Sequence, residues 1–197
     1  VAVLQSNYIP WKGYFDIIHD VDEFIFYDEV QYTYRDWRNR NQILTKDGLK
    51  WLTIPTKGKR TNSIDEVETD GSGWQEKHYN TLRTHYAKAP YFEQYRSFLE
   101  KFYLGYIWNN LSELNQYLIQ HISHDFLGIT TLFTNSREYH STGSGHEKLL
   151  SLLISAGADY YVSGPSAQSY MVEEDYKKAG IEVHWKDYSH YPVYTQL

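Results

Sequence analysis

Cysteine is absent from the 197-residue chain, which excludes disulfides, thiol nucleophiles and cysteine-ligated zinc together. Positive charge is also scarce: 19 Lys and Arg against 25 Asp and Glu leave a formal net charge of −6. With no overall positive field to hold a phosphate polymer, nucleic acid is not an expected partner. Long apolar runs are missing too. The most apolar stretch, Leu149 to Ala158, is interrupted by Ser and Gly and falls well short of the roughly 20 residues that cross a bilayer. No membrane span is therefore expected. The opening Val1-Ala2-Val3-Leu4 lacks the basic residues and cleavage pattern of a signal peptide, so a cytoplasmic setting is expected.

What is present is an ordinary globular composition with an unusual aromatic share. Hydrophobic residues make up 41% and charged residues 22%, and the length suits one domain spanning 1–197. Aromatic residues reach 17%, with 20 Tyr and 6 Trp. Such rings have an apolar body and a polar tip, which suits half-buried packing and also a pocket that stacks on a base or sugar ring.

Along the chain, Val1 to Gln5 reads as a strand, Ser6-Asn7 as a polar loop, and Pro10 as the first turn of a helix. Trp11, Tyr14, Phe15, Ile17, Ile18 and Val21 carry the helical spacing, and Glu23 to Val30 reads as the second strand. Gln31 to Asn41 has no period and is a loop. Lys46-Asp47-Gly48 predicts the turn of a β-hairpin inserted at about 41–56, because Asp-Gly tolerates positive φ. Lys57 to Ser63 reads as a structureless, mobile loop.

A helical segment is predicted over about 73–127, as Trp74 to Tyr86, Tyr91 to Tyr103 and Trp108 to Phe126. Strands at Thr130 to Thr134, Asp159 to Ser163 and Ile181 to Trp185 then alternate with helices at Gly145 to Ala156 and Met171 to Ala179. That alternation predicts an α/β fold with a mainly parallel, doubly wound, Rossmann-like sheet. After the polar-aromatic stretch Tyr188 to Tyr194 no capped element follows, so an incomplete C-terminal tail is expected.

In such a sheet, ligands sit beyond the carboxyl ends of the strands, and the loops there are the candidates. The first is Gln5 to Phe15, where Gln5, Asn7, Tyr8 and Trp11 stand ahead of a helix N-terminus that can hold an anion. A capping role for Ser6 or Asn7 is the plain alternative. The second runs from Asp28 through Gln31 and Tyr32 to Arg35, Trp37, Arg38, Asn39 and Arg40. Forked donors beside a stacking face suit a phosphate or carboxylate near a planar ring, and a solvated basic loop is the alternative. His78 on a helix is a candidate general base or a structural histidine. The fourth loop, Ser163-Gly164-Pro165-Ser166, combines close backbone approach with a hydroxyl donor. Thr142-Gly143-Ser144-Gly145-His146 reads as a linker.

No metal is expected, since the histidines form no His-Glu-x-x-His pattern. The chain has neither a Walker loop nor a Gly-x-Gly-x-x-Gly fingerprint, and cofactor and oligomeric state stay unspecified.

Several stretches together carry a family resemblance: Gln5-Ser6-Asn7-Tyr8-Ile9-Pro10-Trp11-Lys12-Gly13-Tyr14-Phe15, Phe26-Tyr27-Asp28-Glu29-Val30-Gln31-Tyr32, Arg35-Asp36-Trp37-Arg38-Asn39-Arg40-Asn41, Trp51-Leu52-Thr53-Ile54-Pro55, Lys88-Ala89-Pro90-Tyr91-Phe92, Tyr161-Val162-Ser163-Gly164-Pro165 and Tyr191-Pro192. Collinear along nearly the whole chain, they resemble the WbqC-like family of bacterial proteins. The resemblance implies a setting in clusters for O-antigen and other surface polysaccharides, with one member proposed as a glycine transferase. The reaction it implies is attack of a sugar amine on an activated acyl carbon, with an amino sugar or nucleotide sugar as substrate.

That chemistry needs a base and oxyanion donors. His78 or Asp28 would be the base, and Asn39 or a backbone N–H near Gly164 the donor. Arg35, Arg38 and Arg40 would hold phosphate, and Trp11 and Trp37 would stack, with Gln5, Asn7, Tyr8, Gln31, Tyr32, Ser163 and Ser166 completing the substrate site. Two other readings stay open: a nucleotidyltransferase-like, ATP-using enzyme, whose His-x-Gly-His element is missing here, and a non-catalytic ligand-binding module.

Overall fold

The computed structural model describes residues 1–71 and 73–193, so the tail expectation falls partly on 194–197, outside the described residues. Two compact units emerge. The first comprises Val1–Ser6, Pro10–Val30 and Ile119–Tyr191; the second comprises Asn7–Ile9 and Gln31–Leu118, with residues 192 and 193.

The first unit is built on a five-stranded sheet of order β5-β2-β1-β6-β7, formed by β1 (Ala2–Leu4), β2 (Glu23–Phe26), β5 (Leu132–Asn135), β6 (Tyr160–Ser163) and β7 (Glu182–Trp185). Every pairing is parallel. Alternation along the strands assigns the two faces. Ala2, Phe24 and Phe26 join a cluster with Tyr14, Ile17, Ile18 and Val21 of α1 (Lys12–His19) and its exit, whereas Val3 and Ile25 join Leu149, Leu152 and Leu153 of α5 (Gly145–Ser155) and Tyr176 of α6 (Glu173–Lys178). Helices cover both faces, and this is the doubly wound α/β arrangement expected from the alternating elements.

The second unit holds the hairpin β3 (Arg40–Thr45) and β4 (Gly48–Thr53), with helices α2 (Trp74–Tyr86), α3 (Phe92–Leu104) and most of α4 (Leu111–His121). Gly48, at φ 102, closes the hairpin turn, and Thr45 Oγ1 donates to its carbonyl at 2.7 Å. Lys57–Ser63 has no regular element, but it is pinned rather than structureless: Lys57 N–H donates to Glu68 O at 3.0 Å and Lys59 N–H to Asn62 Oδ1 at 2.9 Å.

Boundaries shift where a side chain takes over a backbone partner. The second strand ends at Phe26 rather than Val30, since Asp28 turns its carboxylate onto the backbone N–H of Ser6 at 2.8 Å. Asn110 caps α4 by accepting from Glu113 N–H at 3.0 Å, so that helix starts after Trp108. Past His121 it widens into a π-helical turn, Ile122–Phe126, and Leu127 N–H bonds Ile122 O at 3.1 Å. Thr131 spends its hydroxyl on the carbonyls of Ile18 and Val21 at 2.7 and 2.9 Å, which delays β5 to Leu132.

Candidate functional site

In the first unit the chain leaves β1 for β2 on one side, whereas β6 lies on the other side of β1 and continues to β7. This is the switch point at which open α/β sheets leave a crevice beyond their carboxyl ends. Parallel pairing of Ala2 with Val162 carries the exits at Gln5 and Gly164 side by side. Ser6 is fully buried, and its bond to the nearly buried Asp28 ties the exits of β1 and β2 together. Tyr14 Oη donates to Gln5 O at 3.0 Å. Ser163 is buried, with its hydroxyl engaged by Tyr161, while Ser166 lies exposed in the turn Pro165–Ser169.

Helix α1 begins after Trp11 with no side-chain cap and no acidic residue in its first turn. Neither Ser6 nor Asn7 caps it, because Ser6 donates to Asp28 and Asn7 accepts from Arg38. Trp11 is 51% exposed and packs against Tyr188 and Tyr191 at centroid distances of 4.8 and 5.8 Å. Lys12 Nζ lies 5.0 Å from the Tyr191 ring, and Tyr191 Oη donates to Asp16. A Cβ on Gly13 would stand 2.4 Å from the Trp11 ring. Gly13→Val should therefore swing Trp11 off Tyr188 at a folding cost within about 1–3 kcal/mol. The check is Trp fluorescence: a shifted emission maximum with the thermal transition retained is the expected result.

On the other side of the crevice the exits of β2 and β5 border an open hollow of about 350 Å³, lined by Glu29, Arg137, Tyr139, His140, Ser141 and Thr142. Glu29 Oε2 pairs with Lys148 Nζ at 2.9 Å. Its Oε1 is shielded from solvent and meets no donor among the described residues, an arrangement that costs about 1–3 kcal/mol or more for a charged group. Burial, reinforced by Glu29, pushes the Tyr27 hydroxyl up to about 12. Lys148, Arg137 and Tyr139 escape sequence reasoning, and Glu29 enters it only as a member of the second candidate loop. The loop after the strand predicted at Thr130 to Thr134 was the usable signal, since it had to lie on the carboxyl edge.

The second unit gathers the remaining candidates. Asn7–Ile9 and the Arg/Asn-rich stretch lie against each other: Tyr8 N–H donates to Trp37 O at 3.0 Å, Arg38 Nη1 to Asn7 Oδ1, and Asn41 Nδ2 to Tyr8 O at 3.2 Å and to Ile9 O. Ile9 is held at φ 48, a strained value for a β-branched residue. Arg38 also lies 4.0 Å from Asp36, and its carbonyl accepts from Asn115 at 2.8 Å. Asn39 is buried and donates its amide to Ile54 O at 2.9 Å.

Arg40 stacks on Trp51 at 4.3 Å, with Trp37 beside that ring at 5.8 Å. Arg35 is exposed at φ 58 over the Tyr34 ring at 5.4 Å. Gln31 Nε2 donates to Arg60 O at 2.7 Å, and the buried Tyr32 shares a hydrogen bond with Thr56 at 3.1 Å.

His78 is buried, with Nδ1 2.9 Å from Tyr8 Oη; Tyr8 Oη lies 2.5 Å from Tyr103 Oη. Burial lowers the imidazole to about 4, against a hydrogen bond to the Thr53 backbone that acts to raise it, with Lys77 lowering it further. A neutral ring in a closed Tyr8–His78–Tyr103 network is the result.

The fold is thus that of a doubly wound α/β protein with polar side chains gathered at the carboxyl edge of a parallel sheet. Residues 5–197 match the model of the WbqC-like protein family, and the chain belongs to that family. It is 46% identical over 199 residues to "Uncharacterized protein Rv1507c" of Mycobacterium tuberculosis (strain ATCC 25618 / H37Rv), covering 100% of this chain and 86% of that relative. No solved structure matches the chain. Among the described residues, no helix is long and apolar enough to cross a membrane.

Proposed function

We propose that the chain is a transferase of bacterial surface-polysaccharide biosynthesis that binds a nucleotide-linked amino sugar beyond β1 and β6 and acylates the sugar amine. The observation that carries this reading is the switch point itself: an uncapped α1 start, Lys12 and the half-exposed Trp11 ring stand at the exit of β1, next to the backbone exit at Gly164. A nucleobase fits the ring, and a diphosphate fits the helix start and Lys12. Membership of the WbqC-like family supports the polysaccharide setting.

Acyl transfer to an amine requires a carboxylate to take the ammonium proton and an N–H to receive charge on the acyl oxygen. Asp28, at the exit of β2, and the backbone near Gly164 are assigned these roles. His78 is assigned a structural one, because the ring is buried, its Nδ1 is engaged by Tyr8, and it bonds the Thr53 backbone inside the second unit. Asn39 joins it, its amide being used on Ile54.

Calorimetry with UDP and UDP-glucosamine tests the reading. Binding is expected, and Trp11→Ala should weaken it by about 1–3 kcal/mol, the size of a base–aromatic stack. Saturable ATP binding in place of both would move the assignment to adenylyl chemistry. Absence of binding by all three would leave a non-catalytic module.

A further inference from the structure

We propose that the outer face and tip of the hairpin β3–β4 form a docking surface for a membrane of anionic lipid. The contact is peripheral, with Leu49 entering the acyl boundary and Trp51 and Arg40 lying among the headgroups.

Alternation along the strands gives the two faces of the hairpin different surroundings. Ile43 and Leu52 point inward and are buried. On the other face, cross-strand pairing sets Leu44 opposite Leu49 and Gln42 opposite Trp51, and here Leu49 is 67% and Trp51 42% exposed. Trp37, 48% exposed, stands beside Trp51 at 5.8 Å, and Arg40 stacks on Trp51 at 4.3 Å. The face thus carries an aliphatic side chain at the tip and an indole two residues back, roughly 7 Å along the strand. Indoles favour the headgroup level and leucine the acyl region beneath it, so this spacing suits a surface that sinks about 5–10 Å into a bilayer.

Charge decides between occupants. The net charge of −6 belongs to the rest of the chain, because between Gln31 and Arg60 eight Lys and Arg stand against two Asp. Of those two, Asp36 already accepts from Thr33 Oγ1 at 2.6 Å and from Trp37 N–H at 2.7 Å. Lys46 and Lys50 are exposed beside the tip turn. Such a set is drawn to an anionic surface. Two copies meeting through this same face would bring like charges together. A polynucleotide would use the charge and the rings but leave Leu49 without a role. Anionic lipid uses all three.

Co-sedimentation of the full chain with vesicles tests this. Binding to mixed phosphatidylglycerol–phosphatidylcholine vesicles is expected, and it should weaken about tenfold or more with phosphatidylcholine alone or in about 1 M salt. Leu49→Ser should weaken it about tenfold, as expected for one leucine withdrawn from an apolar phase. Lys46→Glu combined with Lys50→Glu should do so to a similar degree. Brominated acyl chains should quench the Trp fluorescence of the unaltered protein, a readout that holds even where a variant folds poorly, and Trp51→Phe should remove much of that quenching.

Equal affinity for charged and neutral vesicles, no binding to either, full binding by well-folded Leu49→Ser, or binding without quenching would overturn the proposal. Binding of oligothymidylate without vesicle binding would give the face to a polynucleotide. A dimer that Leu49→Ser abolishes, again without vesicle binding, would give it to a second copy. UDP binding is a separate measurement, so failure here leaves the β1–β6 reading as it stands.

Discussion

Lowering the pH from 7 should cost the native state about 2 kcal/mol at pH 5 and about 3 kcal/mol near pH 4 through His78 alone. Burial holds the imidazole near 4 in the fold, whereas the unfolded chain titrates at its ordinary value of about 6.5. Between those values the unfolded state takes up a proton that the native state refuses, so stability falls as pH falls. Well above 6.5, near pH 8, neither state is charged, and the contribution is constant. Nδ1 shares a hydrogen bond with Tyr8 Oη at 2.9 Å, and the bond to the Thr53 backbone opposes the downward shift without overcoming burial.

Denaturant unfolding at pH 7, 6, 5 and 4.5 with the intact chain and with His78→Gln provides the measurement. The variant loses hydrogen bonds at every pH but carries no titrating ring, so its deficit should shrink steadily as pH drops. A deficit independent of pH would place the imidazole at its ordinary value and the ring in contact with water.

Phe24→Ala should destabilise the first unit by about 3–5 kcal/mol. Phe24 is completely buried and meets Tyr14, Phe26 and Phe133 at centroid distances of 5.5, 5.2 and 5.7 Å. Removing the ring opens a cavity between the sheet and α1, and close-packed neighbours recover only part of that space. Leu132→Ala, also on a strand of this sheet but 60% exposed, should cost far less. Thermal unfolding of both variants tests the contrast, and equal losses would contradict the assigned faces. Because α1 carries Trp11 and Lys12 at its start, ligand affinity in Phe24→Ala should fall with the structure.

Much of this architecture is legible in the chain because it depends on local periodicity. Tyr14, Ile17, Ile18 and Val21 recur at helical spacing and form one stripe against the sheet. Phe24 and Phe26, two apart, share a face that Ile25 does not. Asp47-Gly48 marks the hairpin turn for a steric reason.

The candidate site was legible only as a set of loops. That Asn7 and Arg38 are bonded, that Asn39 turns inward to Ile54, and that His78 is closed off by Tyr8 and Tyr103 depend on partners 15 to 95 residues away in the chain. No window of sequence contains both members of such a pair.

Composition and spacing by themselves determined the class of the protein: a parallel sheet wound on both faces, an inserted hairpin, and polar loops at the strand ends. These follow from hydrophobic periods of two and 3.6 residues, which each segment carries within itself. Tertiary structure alone decided which polar groups are spent on one another and which are left over. Thus Asp28 was drawn to Ser6, His78 was sealed and kept neutral, and one oxygen of Glu29 was left without a donor. Whether a polar atom is satisfied depends on what distant residue arrives beside it, and only the folded chain specifies that.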